Sequence, residues 1–279
     1  MEVAKRLNTE VLSADSRQFY KGMYIGTAKP SLEELRGVPH HFFDFLELDA
    51  YMSAGAFEEQ ALALLEKLFE KHDRVIMTGG SGLYMDAVCH GFDELPAVDP
   101  AIRNELNRIW DAEGLEPLLA ELEENDPATY SSIDQNNAHR IIRALEIWRA
   151  TGESISKQQK GKRAERPFHI QKFGIEMDRD ALYKRINARV DKMMEAGLLE
   201  EVRNLLPYRS LNALNTVGYK ELLNHLDENS TLEEAVELIK RNTRRYAKRQ
   251  MTWWRKDEEI KWVEAQDVNM IMEILDAEE

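Results

Sequence analysis

Cysteine is almost missing from this chain. Cys89 is the only one in 279 residues, which rules out an internal disulfide and any cysteine-built zinc finger and suits a reducing, cytoplasmic setting. Set between Val88 and His90, it reads as a packed helix residue. No apolar run approaches the ~20 residues a membrane helix needs, so no membrane partner is expected. No signal-peptide pattern opens the sequence, and no internal repeat or low-complexity stretch interrupts it. Histidines are few and scattered. His40 and His41 adjoin in a strand-like stretch, where neighbouring side chains point to opposite sides; His72, His90, His139, His169 and His225 stand apart, so no resident metal centre is expected.

Positive charge is also in deficit. Lys and Arg number 37 against 51 Asp and Glu, a net charge of −14, which by itself speaks against a nucleic-acid partner, because phosphate affinity comes from basic side chains. The distribution says otherwise. Residues 240–256 hold Lys240, Arg241, Arg244, Arg245, Lys248, Arg249, Arg255 and Lys256 and no acid. A second basic zone runs through His139, Arg140, Arg143, Arg149, Lys157, Lys160, Lys162, Arg163 and Arg166, while acids gather at 113–126 and 226–237. Such segregation suits one polyanion-binding face, although a basic run is also an ordinary solvated helix face.

A hydrophobic share of 43% and a charged share of 32% describe a protein with a full core. Residues 10–13, 42–46, 74–78 and 170–175 read as strands, with 260–263 a weaker fifth. A helix is expected from Ser53, with Phe57, Ala61, Leu64, Leu65 and Leu68 at helical spacing. Strand and helix in alternation point to a parallel α/β sheet. Asp99-Pro100 then looks like a helix start, followed by Ile102, Leu106, Ile109 and Trp110 at helical spacing. Gly114 and Asp126-Pro127 punctuate two further helices. Residues 95–138 therefore read as a helical insertion, and 1–94 with 139–279 as the α/β core. Residues 158–166 read as a mobile surface segment. Ser230-Thr231-Leu232-Glu233 reads as a capping box for a helix reaching past Arg249.

The run Ser13-Ala14-Asp15-Ser16-Arg17-Gln18 places one carboxylate just past the end of the first strand, where open α/β sheets bind ligands. Asp15 suits proton abstraction from a polar substrate, or it caps its own turn. Gly79-Gly80-Ser81-Gly82 breaks the chain after another strand and opens a helix. Its N–H groups favour an anion or a nucleobase edge; tight packing is the other reading.

Ser13-Ala14-Asp15-Ser16-Arg17-Gln18, Gly22-Met23-Tyr24-Ile25-Gly26-Thr27-Ala28-Lys29-Pro30 and Gly79-Gly80-Ser81-Gly82-Leu83-Tyr84 resemble tRNA dimethylallyltransferases. So do Val217-Gly218-Tyr219-Lys220 and Lys248-Arg249-Gln250-Met251-Thr252-Trp253-Trp254-Arg255, and the blocks fall in the family's order. The resemblance implies a P-loop NTPase-like parallel sheet flanked by helices, with the insertion contacting tRNA. It implies transfer of a dimethylallyl group from dimethylallyl diphosphate to N6 of the adenine 3′ to the anticodon. Asp15 is implied as the base. Asp15, Ser16, Arg17, Gln18, Ser81, His139, Arg140, Ile141, Ile142, Arg143, the block at 217–220 and the block at 248–255 are implied as tRNA contacts. Gln18 has an amide able to bond a base edge. Tyr219, Trp253 and Trp254 are stacking groups in this reading and core residues in the plainer one.

Arg185 and Arg189, four apart on one helix face, are implied beside the diphosphate, with Arg185 favoured; a solvated face paired with Asp191 is the alternative. Magnesium is expected to arrive with the diphosphate. The tRNA anticodon loop and dimethylallyl diphosphate are the expected partners of a monomer. One family feature is missing: no G-x-x-x-x-G-K-[ST] occurs, and the nearest pair, Gly161-Lys162, is followed by Arg163 and preceded by Ser156 at the first glycine position. Met1 is thus expected within the helix that follows that loop, with the first strand and the loop absent. Two other readings stay open: a non-catalytic RNA-binding remnant, and an isopentenyltransferase acting on AMP or ATP. Binding of tRNA is expected to weaken steeply with added salt; a flat response in a filter-binding titration would remove the basic face from the argument.

Overall fold

The computed structural model describes every residue except 92–95, 97, 159–163, 266 and 278–279, and of Gln158 only the backbone. A short helix, α1 (Glu2–Arg6), leads into strand β1 (Val11–Ser13). Helix α2 (Leu32–Leu35), strand β2 (His40–His41), helix α3 (Ala54–Phe69), strand β3 (Ile76–Thr78) and helix α4 (Gly82–His90) follow. Next come helices α5 (Pro100–Glu113), α6 (Glu116–Asn125), α7 (Pro127–Ser132), α8 (Ala138–Thr151) and α9 (Ile155–Gln158). The chain ends with β4 (Lys172–Glu176), α10 (Arg179–Glu195), α11 (Leu198–Asn204), two 3-10 turns, α12 (Tyr219–Leu226), α13 (Leu232–Trp254), β5 (Ile260–Glu264) and α14 (Val268–Asp276).

All strand pairs are parallel, as the alternation of elements predicts. They form a three-stranded sheet ordered β2-β1-β3 and a two-stranded sheet of β4 and β5. Val11 is in register with His40 on one side and Ile76 on the other. Every residue of β1 is buried, as the centre of a covered parallel sheet requires.

The second strand differs from expectation. It lies at His40–His41, and the apolar run at 42–46 forms no strand, only a single parallel bridge from Leu46 to Tyr20. Phe42 and Asp44 take positive φ, 58° and 53°. The rings of Phe42 and Phe45 turn inward, onto Phe57 (5.0 Å) and Phe19 (5.5 Å). The apolar character belongs to aromatic anchors, not to a pleat. His41 meets Glu10 at 2.6 Å while the His40 ring contacts the Val38 carbonyl at 2.8 Å, consistent with opposite faces.

Helix starts follow the sequence closely. Ser53 accepts the Ala56 N–H (3.1 Å) at α3, and Asp99 accepts the Ala101 N–H (2.9 Å) at α5. The capping box at α13 is displaced by one residue: Thr231 and Glu234 exchange the two bonds, at 3.2 and 2.8 Å. Cys89 is half-buried in α4, and burial pushes its thiol up to about 11.

Two compact units result, Met1–Cys89 with Arg166–Glu279, and His90–Glu165. The first holds both sheets. One of its core clusters gathers Leu12, Ala14, Phe19, Phe57 and Leu65, and another is built around Leu198, Val202, Tyr219, Leu222 and Ile239. The second unit is helical, with Leu106, Leu118, Leu122, Ile141 and Leu145 at its centre. Here the expected division at 138/139 is corrected. Helix α8 packs on α5 and α6, because its apolar face completes a core that those helices cannot close alone. The expected boundary at 94/95 falls on residues outside the described set, as does most of the segment at 158–166.

Past β3 the chain runs against β1 so closely that a Cβ on Gly79 would lie 2.4 Å from the Ala14 carbonyl carbon and oxygen. Gly79→Ala is therefore expected to destabilise the protein by about 1–3 kcal/mol through overpacking, read as a lower melting temperature. Gly55→Ala, where nothing lies within 4 Å, should leave melting unchanged or raise it slightly.

Candidate active site

Strand β1 delivers its carboxyl end to a recess. The Ala14 N–H donates to the Thr78 carbonyl (2.7 Å), carrying the ladder one residue beyond the strand. Asp15 comes next. Its Oδ1 accepts the Arg17 N–H (3.0 Å), and its carbonyl accepts the Gln18 N–H (3.0 Å), so the capping role is real. The same carboxylate also lines a cavity of about 380 Å³ together with Gln18, Thr78, Gly80 and Gln250, a size that suits a small-molecule site. Burial pushes the Asp15 carboxyl above its ordinary value, against the opposing pull of the Arg17 and Gln18 N–H groups and the Arg17 guanidinium. A carboxylate raised in this way is a stronger base than one in water.

The Gln18 amide nitrogen donates to the Thr27 carbonyl (3.1 Å). Its carbonyl oxygen is met by a long 3.5 Å contact from Ser13 Oγ, which leaves acceptor capacity at the recess. Two residues with acceptor oxygens, Asp15 and Gln18, thus line one cavity. Arg17 points away and donates to the carbonyls of Asn212 (2.8 Å) and Ala213 (3.2 Å). Ser16 donates its N–H to Ser81 Oγ (3.0 Å), and the Ser81 N–H returns to the Ala14 carbonyl (3.2 Å).

The glycine turn follows the packing reading. Gln250, on α13, donates to the Gly80 carbonyl (2.9 Å), and a Cβ on Gly80 would lie 2.1 Å from that amide nitrogen. A Cβ on Gly82 would lie 2.6 Å from Trp253 Nε1, which donates to Asp86 (3.0 Å). Small residues here make the seat for α13. Along that helix Lys248, Arg249, Thr252, Trp253 and Arg255 are exposed, while Gln250, Met251 and Trp254 are half-buried.

Other expected contacts separate into surface and core. In the 217–220 block, Lys220 is exposed, Val217 half-buried, Gly218 buried and Tyr219 fully buried. Tyr219 is thus corrected from a stacking group to a core residue, since it heads the apolar face that continues with Leu222 and Leu223. In the helical unit His139 and Arg140 are exposed, whereas Ile141 and Ile142 are core residues with no surface for RNA. Arg143 pairs with the buried Glu146 (3.3 Å), which Arg103 also holds at 2.6 Å. Arg149 pairs with Glu121 and Arg166 with Glu58, each at 2.6 Å. Arg143, Arg149 and Arg166 of the second basic zone are therefore neutralised by carboxylates; Lys160, Lys162 and Arg163 lie outside the described residues.

Arg185 and Arg189 are exposed on one face of α10, with no carboxylate partner among the described residues. Asp191 is engaged by Lys240 (2.8 Å), so the pairing offered as the alternative does not form. Partial desolvation, and then the Arg185 guanidinium, hold Arg189 below the ordinary arginine value. Tyr246, outside every block singled out from the sequence, is 42% exposed one turn before Gln250. Partial burial, and then the Asp15 carboxylate, raise its phenol. The four-residue spacing to Gln250 was the available signal.

These features meet a family profile. The IPP transferase profile matches residues 18–257. The chain belongs to the IPP transferase family. A tRNA dimethylallyltransferase of Cytophaga hutchinsonii is 47% identical over 277 residues, 99% of this chain and 91% of the relative. The crystal structure of the full-length tRNA isopentenylpyrophosphate transferase from Bacillus halodurans has a TM-score of 0.70 at 40% identity, spanning 99% of this chain and 89% of that one. A eukaryotic dimethylallyltransferase solved acting on tRNA has a TM-score of 0.77 at 26% identity, spanning 96% and 70%. The chain is thus an α/β prenyltransferase of P-loop-like fold. Among the described residues no helix is long and apolar enough to cross a membrane.

The raised Asp15 value has a consequence for stability. Its ionised form is disfavoured in the folded state, so the fold is strained above the ordinary carboxylate range and relieved by protonation. Asp15→Asn is expected to melt higher than the unaltered chain at pH 7, and to lose that advantage as the pH falls toward ~4.

Proposed function

We propose that this IPP transferase moves the dimethylallyl group of dimethylallyl diphosphate to N6 of the adenine on the 3′ side of the anticodon in tRNA. The bond from N6 to C1 of the allyl group forms, the bond from C1 to the diphosphate oxygen breaks, and the leaving group departs with the electron pair. The N6 proton goes to Asp15. One observation carries the reading: Asp15 and Gln18, whose side-chain oxygen keeps acceptor capacity, line the same recess. An exocyclic amine has two hydrogens, and two acceptors bracket it; Gln18 orients one while Asp15 removes the other. A positioned base contributes about 10²–10⁴-fold in such steps.

The diphosphate is assigned to Arg185 and Arg189, whose charges have no carboxylate partner among the described residues. Neutralising that leaving group is the other large contribution. Magnesium fits only as a companion of the diphosphate: the recess supplies one carboxylate, with one oxygen already accepting an N–H, and that falls short of a protein-built cation site. The exposed basic residues of α13, with Lys220, take the anticodon loop, and the helical unit by itself offers His139 and Arg140 to tRNA. The adenine leaves its stack to reach the recess, and the setting is cytoplasmic, with the chain acting as a monomer.

The α13 charge favours tRNA over AMP or ATP, since a nucleotide has no use for so long a basic face. Radiolabelled dimethylallyl diphosphate offered with tRNA, AMP and ATP should label tRNA alone. Label on nucleotides alone would overturn the acceptor, and no label on any would favour an RNA-binding remnant. Asp15→Ala should cut transfer by about 10²–10⁴-fold while tRNA affinity stays nearly constant; retained turnover would remove Asp15 as the base.

A further inference from the structure

No motif draws attention to Glu201, on α11, yet its carboxylate accepts four hydrogen bonds from two distant parts of the chain. Oε2 takes the N–H groups of Tyr24 (3.0 Å) and Ile25 (2.7 Å), and Oε1 takes the N–H of Gly26 (3.0 Å) and the Tyr219 hydroxyl (2.6 Å). Bonds to an ionised acceptor are the stronger kind, and three successive N–H groups directed at one carboxylate fix the backbone between them. The fixed segment is a turn. Ala28 donates its N–H to the Ile25 carbonyl and Lys29 to the Tyr24 carbonyl, both at 3.0 Å, with Ala28 at a φ of 51°. From this same turn the carbonyls of Thr27 (3.1 Å) and Ala28 (3.4 Å) accept the Gln18 amide. A chain of direct contacts therefore runs from Glu201, through the turn, to the side chain that shares the recess with Asp15.

We propose that Glu201 is a positioning residue for acceptor choice. By holding the turn that anchors the Gln18 amide nitrogen, it directs the Gln18 carbonyl oxygen into the recess. That oxygen accepts from the N6 amine of adenine and repels the O6 of guanine. The proposal rests on the acceptor reading given above, because it needs a purine amine at that place. A clamp that only held the fold would lower the melting temperature and leave base preference untouched.

The test is binding, with no prenyl donor present. An anticodon stem-loop RNA with adenine 3′ to the anticodon, and the same RNA with guanine there, are titrated against the full chain. The unaltered chain should prefer the adenine RNA by about tenfold, and Glu201→Gln should bring the ratio to within about twofold of unity, as expected when a polar site loses its alignment. Gln18→Ala should do the same, and the double variant should lose no more than either single one, since coupled residues are non-additive. Retained preference in folded Glu201→Gln, or losses that multiply in the double variant, would overturn the proposal. No preference in the unaltered chain would overturn the base-reading role of Gln18 and the proposal with it. If Glu201→Gln does not fold, Tyr219→Phe, which keeps the ring and deletes one of four donors, should lower the ratio by about twofold; an unchanged ratio there would also overturn it.

Discussion

The main chain of Gly79 lies against that of Ala14 with no room for a side chain between them, and the site is assembled outward from that contact. It lets the Ser81 N–H reach the Ala14 carbonyl and Ser81 Oγ receive the Ser16 N–H, so two loops leaving adjacent parallel strands are joined just past the strand ends. Once joined, they offer the Gly80 carbonyl to Gln250 and a shallow seat to the far end of α13. Asp15 lies between these fixed points. Its desolvation, and hence its basicity, follows from how tightly the two loops close.

Charge is organised by subtraction. The chain is acidic in sum, and many of its basic side chains are consumed by carboxylates: Arg103 and Arg143 by Glu146, Arg149 by Glu121, Arg166 by Glu58. Along α13, Lys240 is occupied by Asp191 and Glu237, and Arg255 by Glu176. Arg241, Arg245, Lys248 and Arg249 have no carboxylate partner among the described residues. A polyanion therefore meets the surplus on one helix rather than the total. Exposed pairs at the periphery change little, because each is worth only about 0–1 kcal/mol.

Local signals in the sequence proved legible where physics is local. Ser53 and Asp99 start their helices because a short polar side chain satisfies N–H groups two or three residues on, and Asp15 sits at its strand tip because the short buried strand Val11–Ser13 ends in a turn. Signals that depend on the partner were read less well. The apolar run at 42–46 has strand composition, but its rings serve a core that only the third dimension reveals. Ile141, Ile142 and Tyr219 travel with exposed basic neighbours in their motifs yet face inward. Glu201 left no trace at all. Three of its four donors are main-chain N–H groups some 175 residues away, and such a donor carries no residue-type signature.

Two guanidiniums one turn apart on α10, unanswered by any carboxylate among the described residues, repel each other by about 0.2–0.5 kcal/mol even on an open surface. An anion bridging them would cancel that repulsion and add its own binding free energy to the native state. On the proposed assignment of the diphosphate to this pair, donor supply would govern more than turnover. When that anion is scarce, the folded state would lose this contribution and become the less durable species.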